Sequence, residues 1–159
     1  MSREEELVEG NYKEVYRLSL RLTGSPHAAE DLTQTVFTKA LAAFSGFRGD
    51  SSARTWLFTI TLNESRRRKK ETVPLEPEHD PADPSAGTEK TAVANLEAEK
   101  LRRLLGKLPQ HYREVVVLHY LQHLEIEEIS EVVGVPKNTV KTWLFRARDA
   151  LKGMWDERE

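Results

Sequence analysis

The residues of this chain whose types and spacing could do chemistry are mostly cations. Arg66, Arg67, Arg68, Lys69 and Lys70 form one run, and Lys137, Lys141, Arg146, Arg148 and Lys152 recur along a second segment. Upstream of the first run, Phe47 stands beside Arg48 in the Gly-flanked stretch SGFRGD. Guanidinium and ammonium groups bind phosphates, and an aromatic next to a cation can stack an unpaired base. Bond-making chemistry has no such footing. The five histidines form no HExxH, and neither a P-loop nor GxSxG is present. His119 and His123 are four apart, which is metal-ligand spacing, but no third ligand accompanies them and surface histidines are the ordinary meaning. With no cysteine, disulfides and thiolate metal sites are excluded. The expectation is a binding protein rather than an enzyme, with no metal and no cofactor.

The net charge of −2 hides an uneven distribution. Residues 1–70 carry 12 Lys/Arg against 9 Asp/Glu, residues 71–88 none against 5, and residues 89–159 carry 12 of each. Phosphates respond to the local field, so basic helices on a mildly acidic chain still suit nucleic acid. No run approaches the ~18 apolar residues of a membrane span. The opening MSREEELVEG is acidic where a signal peptide needs a basic and then an apolar segment, so the chain reads as cytoplasmic.

The elements that must position these residues read as helices. In the first, about 3–22, Val8, Tyr12, Val15, Tyr16 and Leu22 share one side before Thr23-Gly24. Ser25-Pro26 offers a cap and a first-turn proline for a second helix, whose stripe is Leu32, Val36, Phe37, Ala40, Leu41 and Phe44. A loop then leads to a third helix of about 52–70. Its TWLFTITL half would also suit a strand, but length and the basic end favour helix. Residues 71–88 hold four of the seven prolines and five acids, the composition of a flexible acidic linker. Beyond it, Val93, Leu96, Leu101, Leu104, Leu105 and Leu108 form a stripe, followed by helices around Tyr112–Leu118 and Ile126–Val133.

Gly134-Val135-Pro136 is a tight turn into a last helix of about 137–152, giving the spacing of a helix-turn-helix. Val140, Leu144 and Leu151 pack inward, which leaves Lys137, Lys141, Arg148 and Lys152 mostly outward. Taken alone, such a face is more often merely solvated. The preceding turn, with Thr139 and Thr142 as short donors for phosphate oxygens, favours DNA. The fold expected is therefore all-α: two small helical domains, 1–70 and 89–159, joined by the linker 71–88, the second containing the helix-turn-helix.

Three stretches together are similar to one family. AAEDLTQTVFTKAL (28–41), FRGDSSARTWLFTITLN (47–63) and EEISEVVGVPKNTVKTWLFRARDAL (127–151) resemble, in order, a bacterial RNA polymerase sigma factor of the extracytoplasmic-function (ECF) type, in the sigma-70 family. The resemblance implies that Asp31, Gln34 and Thr35 meet core RNA polymerase. It implies that the loop Phe47, Arg48, Asp50 and Ser51 takes a flipped base of the −10 element, with Asn63, Arg66 and Arg67 facing that element. It implies further that Lys141, Thr142, Phe145 and Arg146 contact the −35 element, with Arg146 suited to a bidentate guanine contact. Promoter DNA and an anti-sigma factor are the remaining implied partners. Thr35, Asn138 and Trp143 stand where the family commonly has an acid, a glycine and a cation.

Read from the residues alone, other meanings stay open. Asp31 also suits helix-dipole compensation, RRRKK suits dipole capping, and Trp56 suits a core position. A stand-alone helix-turn-helix regulator is the competing function, although it leaves the Phe47 loop and the polar face of 28–41 without a task.

Overall fold

The computed structural model describes residues 1–49, 52–71 and 89–157, without the side chains of 70, 71 and 89–95. Among the described residues the secondary structure is all helical. The acidic proline-rich segment lies outside them apart from the backbone of Glu71.

α1 (Arg3–Thr23) begins where the Ser2 hydroxyl accepts from the Glu5 amide, with Glu4, Glu5 and Glu6 set against the positive end of the helix dipole. It stops at Gly24, whose φ of 76° lets its amide turn back to the Leu20 carbonyl at 2.8 Å. α2 (Pro26–Ala43) starts on the Ser25 cap with Pro26 in its first turn. α3 (Ala53–Glu71) settles the strand-or-helix question for TWLFTITL. There the Thr59 and Thr61 hydroxyls donate to the carbonyls of Thr55 and Leu57 one turn back, so both threonines are satisfied inside a helix.

These three helices bury Leu7, Val15, Leu18 and Leu22 against Leu32, Val36, Phe37, Ala40, Leu57, Phe58 and Leu62. Two members of the expected stripes are exposed. Tyr12 and Leu41 are each 40% exposed; Tyr12 stacks over Phe37 from the rim, and Leu7 and Leu18 take the inner positions.

The second unit contains α4 (Glu89–Lys107), α5 (Gln110–Val116), α6 (Ile126–Val133) and α7 (Lys137–Asp156). α4 buries Leu104, Leu105 and then Leu108, but Leu96 of the expected stripe is exposed. Lys100 already reaches Trp155 near the end of α7, so the earlier turns of α4 run past that partner. α5 continues into a single π turn, Val117–Leu121, closed by the Gln122 amide on the Val117 carbonyl. His119 then donates from Nδ1 to the Leu124 carbonyl at 2.9 Å, and His123 takes a left-handed φ of 60°. A chain reversal thus occupies the histidine pair.

A reciprocal capping box between Glu125 and Glu128 starts α6, and Gly134 at φ 75° ends it. Ser130 ties the turn by donating to the Val135 carbonyl at 2.5 Å, and α7 follows from Pro136 with Val140, Leu144 and Ala147 buried. α3 packs on α6, and buried residues of both units form one continuous apolar cluster.

Candidate nucleic-acid interface

The loop after α2 is an aromatic stack. A short 3-10 turn, Phe44–Gly46, brings Phe44 and Phe47 to 6.2 Å between ring centroids, and Phe47 stacks on Trp56 at 4.7 Å. The Arg3 guanidinium sits over Phe44 at 5.2 Å. Phe47 is half-buried, Arg48 exposed, and Asp50 and Ser51 lie outside the described residues. Trp56 packs against the core with one side and supports Phe47 with the other. It therefore joins the loop that sequence reasoning built without it.

Along α3, Asn63 is exposed and the arginines are engaged. Arg66 grips Glu114 of α5 with Nε at 3.0 Å and Nη2 at 3.1 Å. Arg67 pairs with Glu64, the single acid of segment 52–70, which Lys39 also holds at 2.5 Å. The hydrogen bond from Arg67, with further help from Lys39, outweighs burial and pulls the Glu64 carboxyl down to about 2. Arg68 reaches across to α2, donating to the Asp31 carboxylate at 2.9 Å and the Thr35 hydroxyl at 2.8 Å. Asp31, Gln34 and Thr35 do share a face, and Gln34 is exposed on it. Arg68 is the member of that face that sequence reasoning missed, because its partners lie 37 and 33 residues away.

On α7, Lys137, Lys141, Thr142, Phe145, Arg146 and Arg148 are exposed and Thr139 is half-buried. Lys137 lies 3.8 Å from Glu127, and the Thr142 hydroxyl donates to the Asn138 carbonyl. Phe145, at 64% exposure, is a large apolar ring standing among cations. Trp143 turns to the other side, edge-on to His111 at 4.8 Å, and packs within its own unit. This is a surface able to enter a groove: cations for phosphates, a guanidinium for a base edge and a ring for a methyl group. The first unit adds rings and cations beside a loop, which suit bases out of the stack.

Residues 7–72 match the Sigma-70 region 2 family, and residues 98–151 match Sigma-70, region 4. The chain is 34% identical to the ECF RNA polymerase sigma factor SigW of Bacillus subtilis, over 89% of this chain and 83% of that one. It is also 34% identical to the RNA polymerase sigma factor YlaC of Bacillus subtilis, over 93% of this chain and 89% of that one. Among solved structures, CnrH in complex with the cytosolic domain of CnrY superposes with a TM-score of 0.73 at 25% identity, covering 96% of this chain and 87% of that one. The sigma factor RpoE of Bartonella quintana, in complex with the anti-sigma factor NepR, shares the fold with a TM-score of 0.77 at 22% identity, covering 97% and 98%. The order of aromatic loop, basic helix and helix-turn-helix thus coincides with that of the two matched regions, and the chain belongs to the ECF RNA polymerase sigma factors of the sigma-70 family.

Proposed function

We propose that this chain is an alternative sigma factor, a non-enzymatic subunit that binds core RNA polymerase in the cytoplasm and directs initiation at its own promoters. Residues 1–70 bind polymerase and capture the melted −10 element, residues 89–159 read the −35 element, and 71–88 tether them. The observation that carries this reading is the pairing in one chain of two different surfaces whose chemistry suits DNA. The Phe44–Phe47–Trp56 stack beside basic α3 suits unpaired bases, and the exposed face of α7 suits a duplex groove. A groove-reading regulator has no need of the first.

Asp31, Gln34 and Thr35 take the polymerase contact. Phe47, Arg48, Asp50, Ser51, Asn63, Arg66 and Arg67 take the −10 side. Lys137, Thr139, Lys141, Thr142, Phe145, Arg146 and Arg148 take the −35 side. An anti-sigma factor is the regulatory partner we assign, as NepR is for RpoE.

Run-off transcription with purified core polymerase tests the reading. The chain should co-elute with core enzyme and start transcripts from a matched promoter, while binding that promoter weakly alone. Tight operator binding by the isolated chain, with no polymerase association, overturns it in favour of a stand-alone regulator.

A further inference from the structure

The aromatic loop after α2 carries a cation that the −10 side, as assigned above, does not include. Arg3, in the first turn of α1, holds its guanidinium over the Phe44 ring at 5.2 Å. Phe44 in turn stacks towards Phe47, and Phe47 on Trp56, with ring planes 19° and 24° apart. A cation drawn from another helix thus joins a run of three aromatic rings. Arg3 is exposed, and among the described residues no carboxylate pairs with it, although Glu4, Glu5 and Glu6 follow it directly. It also lies ahead of the region 2 match, which begins at residue 7 and assigns it nothing.

The contact with Phe44 leaves the binding capacity of this side chain in place. A cation–π contact draws on the charge and the flat face of a guanidinium, and its N–H fork stays free for an anion. The rings supply the other half of a nucleotide site. Aromatic faces stack unpaired bases of any sequence, and each stacked base brings its phosphate with it. Arg48, next to Phe47 in the chain, is exposed as well, so each of the two loop phenylalanines has a guanidinium beside it.

We propose that Arg3 is a further nucleic-acid contact: it takes a phosphate of the single strand whose bases stack on the Phe47 loop, and so brings α1 into the −10 side. This rests on the reading of that loop as a base-binding surface.

Fluorescence anisotropy of a labelled single-stranded dT20 probe with the full-length chain, between about 50 and 200 mM salt, reads the contact. On a single strand each phosphate contact adds about 0.7 to the slope of log affinity against log salt. Arg3→Ala should therefore flatten the slope by about 0.7, so that its loss of affinity is about two- to threefold larger at the low-salt end. Arg3→Lys, which keeps the charge, should keep the slope. Lys13→Ala, at an exposed position farther along the same helix, should leave it unchanged. A slope unaltered by Arg3→Ala overturns the phosphate contact and leaves Arg3 as a support for Phe44. A flattening that Lys13→Ala reproduces overturns it too, as an effect of net charge. Phe47→Ala separates the inference from the reading beneath it, and should weaken dT20 binding at least about fivefold through the lost stack. If Phe47→Ala binds as the wild type does, or the wild type does not bind dT20 at the low-salt end, the base-binding loop falls and the role of Arg3 with it. If only the Arg3 arm fails, the loop stands. Failure of the sigma-factor reading shows separately, as absent run-off transcription by the wild-type chain.

Discussion

Glu64 is an acid where the surrounding sequence is almost wholly basic, and the fold explains why it is tolerated. Its side chain is 3% exposed and sits between Lys39 and Arg67, with Arg68 at 3.8 Å. Three cations that would repel one another are thereby drawn to one buried carboxylate. Because its pKa falls from 4.5 to about 2 on folding, its contribution is fully present above the ordinary value and is lost as pH drops toward 2. Glu64→Gln should therefore destabilise the protein by about 2–3 kcal/mol near neutral pH, leaving its cation partners without their counter-charge. The gap between variant and wild type in denaturant unfolding should narrow as pH falls from about 4.5 toward 2. On α7, Arg146→Ala should cost ~1–3 kcal/mol of discrimination at one base pair of the −35 element, with core binding kept; binding isotherms on single-substitution promoters check this. Arg146 was reached through the family resemblance, whereas the exposed character of Arg148 was legible from helical spacing alone. The fate of Arg66 was not, because a bidentate partner on another helix leaves no local mark.

Elements were legible to the extent that their signals are local. Ser25-Pro26, Gly24 and Gly134 mark starts and stops that the structure keeps. Gly134 adopts φ 75° with nothing within 4 Å of the place an alanine methyl would take, so Gly134→Ala should cost only the left-handed backbone penalty of ~1–2 kcal/mol. A thermal melt should show that loss while α7 stays helical by circular dichroism. Periodicity failed at Tyr12, Leu41 and Leu96 for one reason. It finds the apolar stripe but does not say where a partner helix covers it, so Tyr12 falls at the rim of the stripe and Leu96 beyond its partner's end. The π turn after Val116 was equally hidden, since Val117–Leu121 has the composition of an ordinary helix. What distinguishes it is the reversal that His119 and Leu124 close behind it.

At the scale of the molecule, the order of the two units was readable from three separated stretches, and their mutual packing was not. Arg66–Glu114 and Arg54–Glu128 join residues 48 and 74 apart, with no repeat or spacing to announce them. The proposed polymerase face belongs to this scale too, because its residues would answer to a partner. Asp31→Ala should weaken binding to core polymerase severalfold in a pull-down titration and leave the −35 preference of bound enzyme intact. Loss of promoter choice with polymerase binding spared would reverse the assignment.

Arg68 gives that face a further consequence. It holds Asp31 and Thr35 of α2 from the same run of α3 that carries Arg66 and Arg67. Asp31 is two-thirds exposed, so an incoming polymerase can compete for it without unpacking the core. On the proposed assignment, a polymerase that takes Asp31 would remove one partner of Arg68 and leave the Thr35 hydroxyl and Glu64 to hold it. Linkage would then work in both directions: a ligand that draws Arg68 away would leave Asp31 readier for polymerase by the same factor. One side chain would thus make the two ligands of this small protein mutually reinforcing.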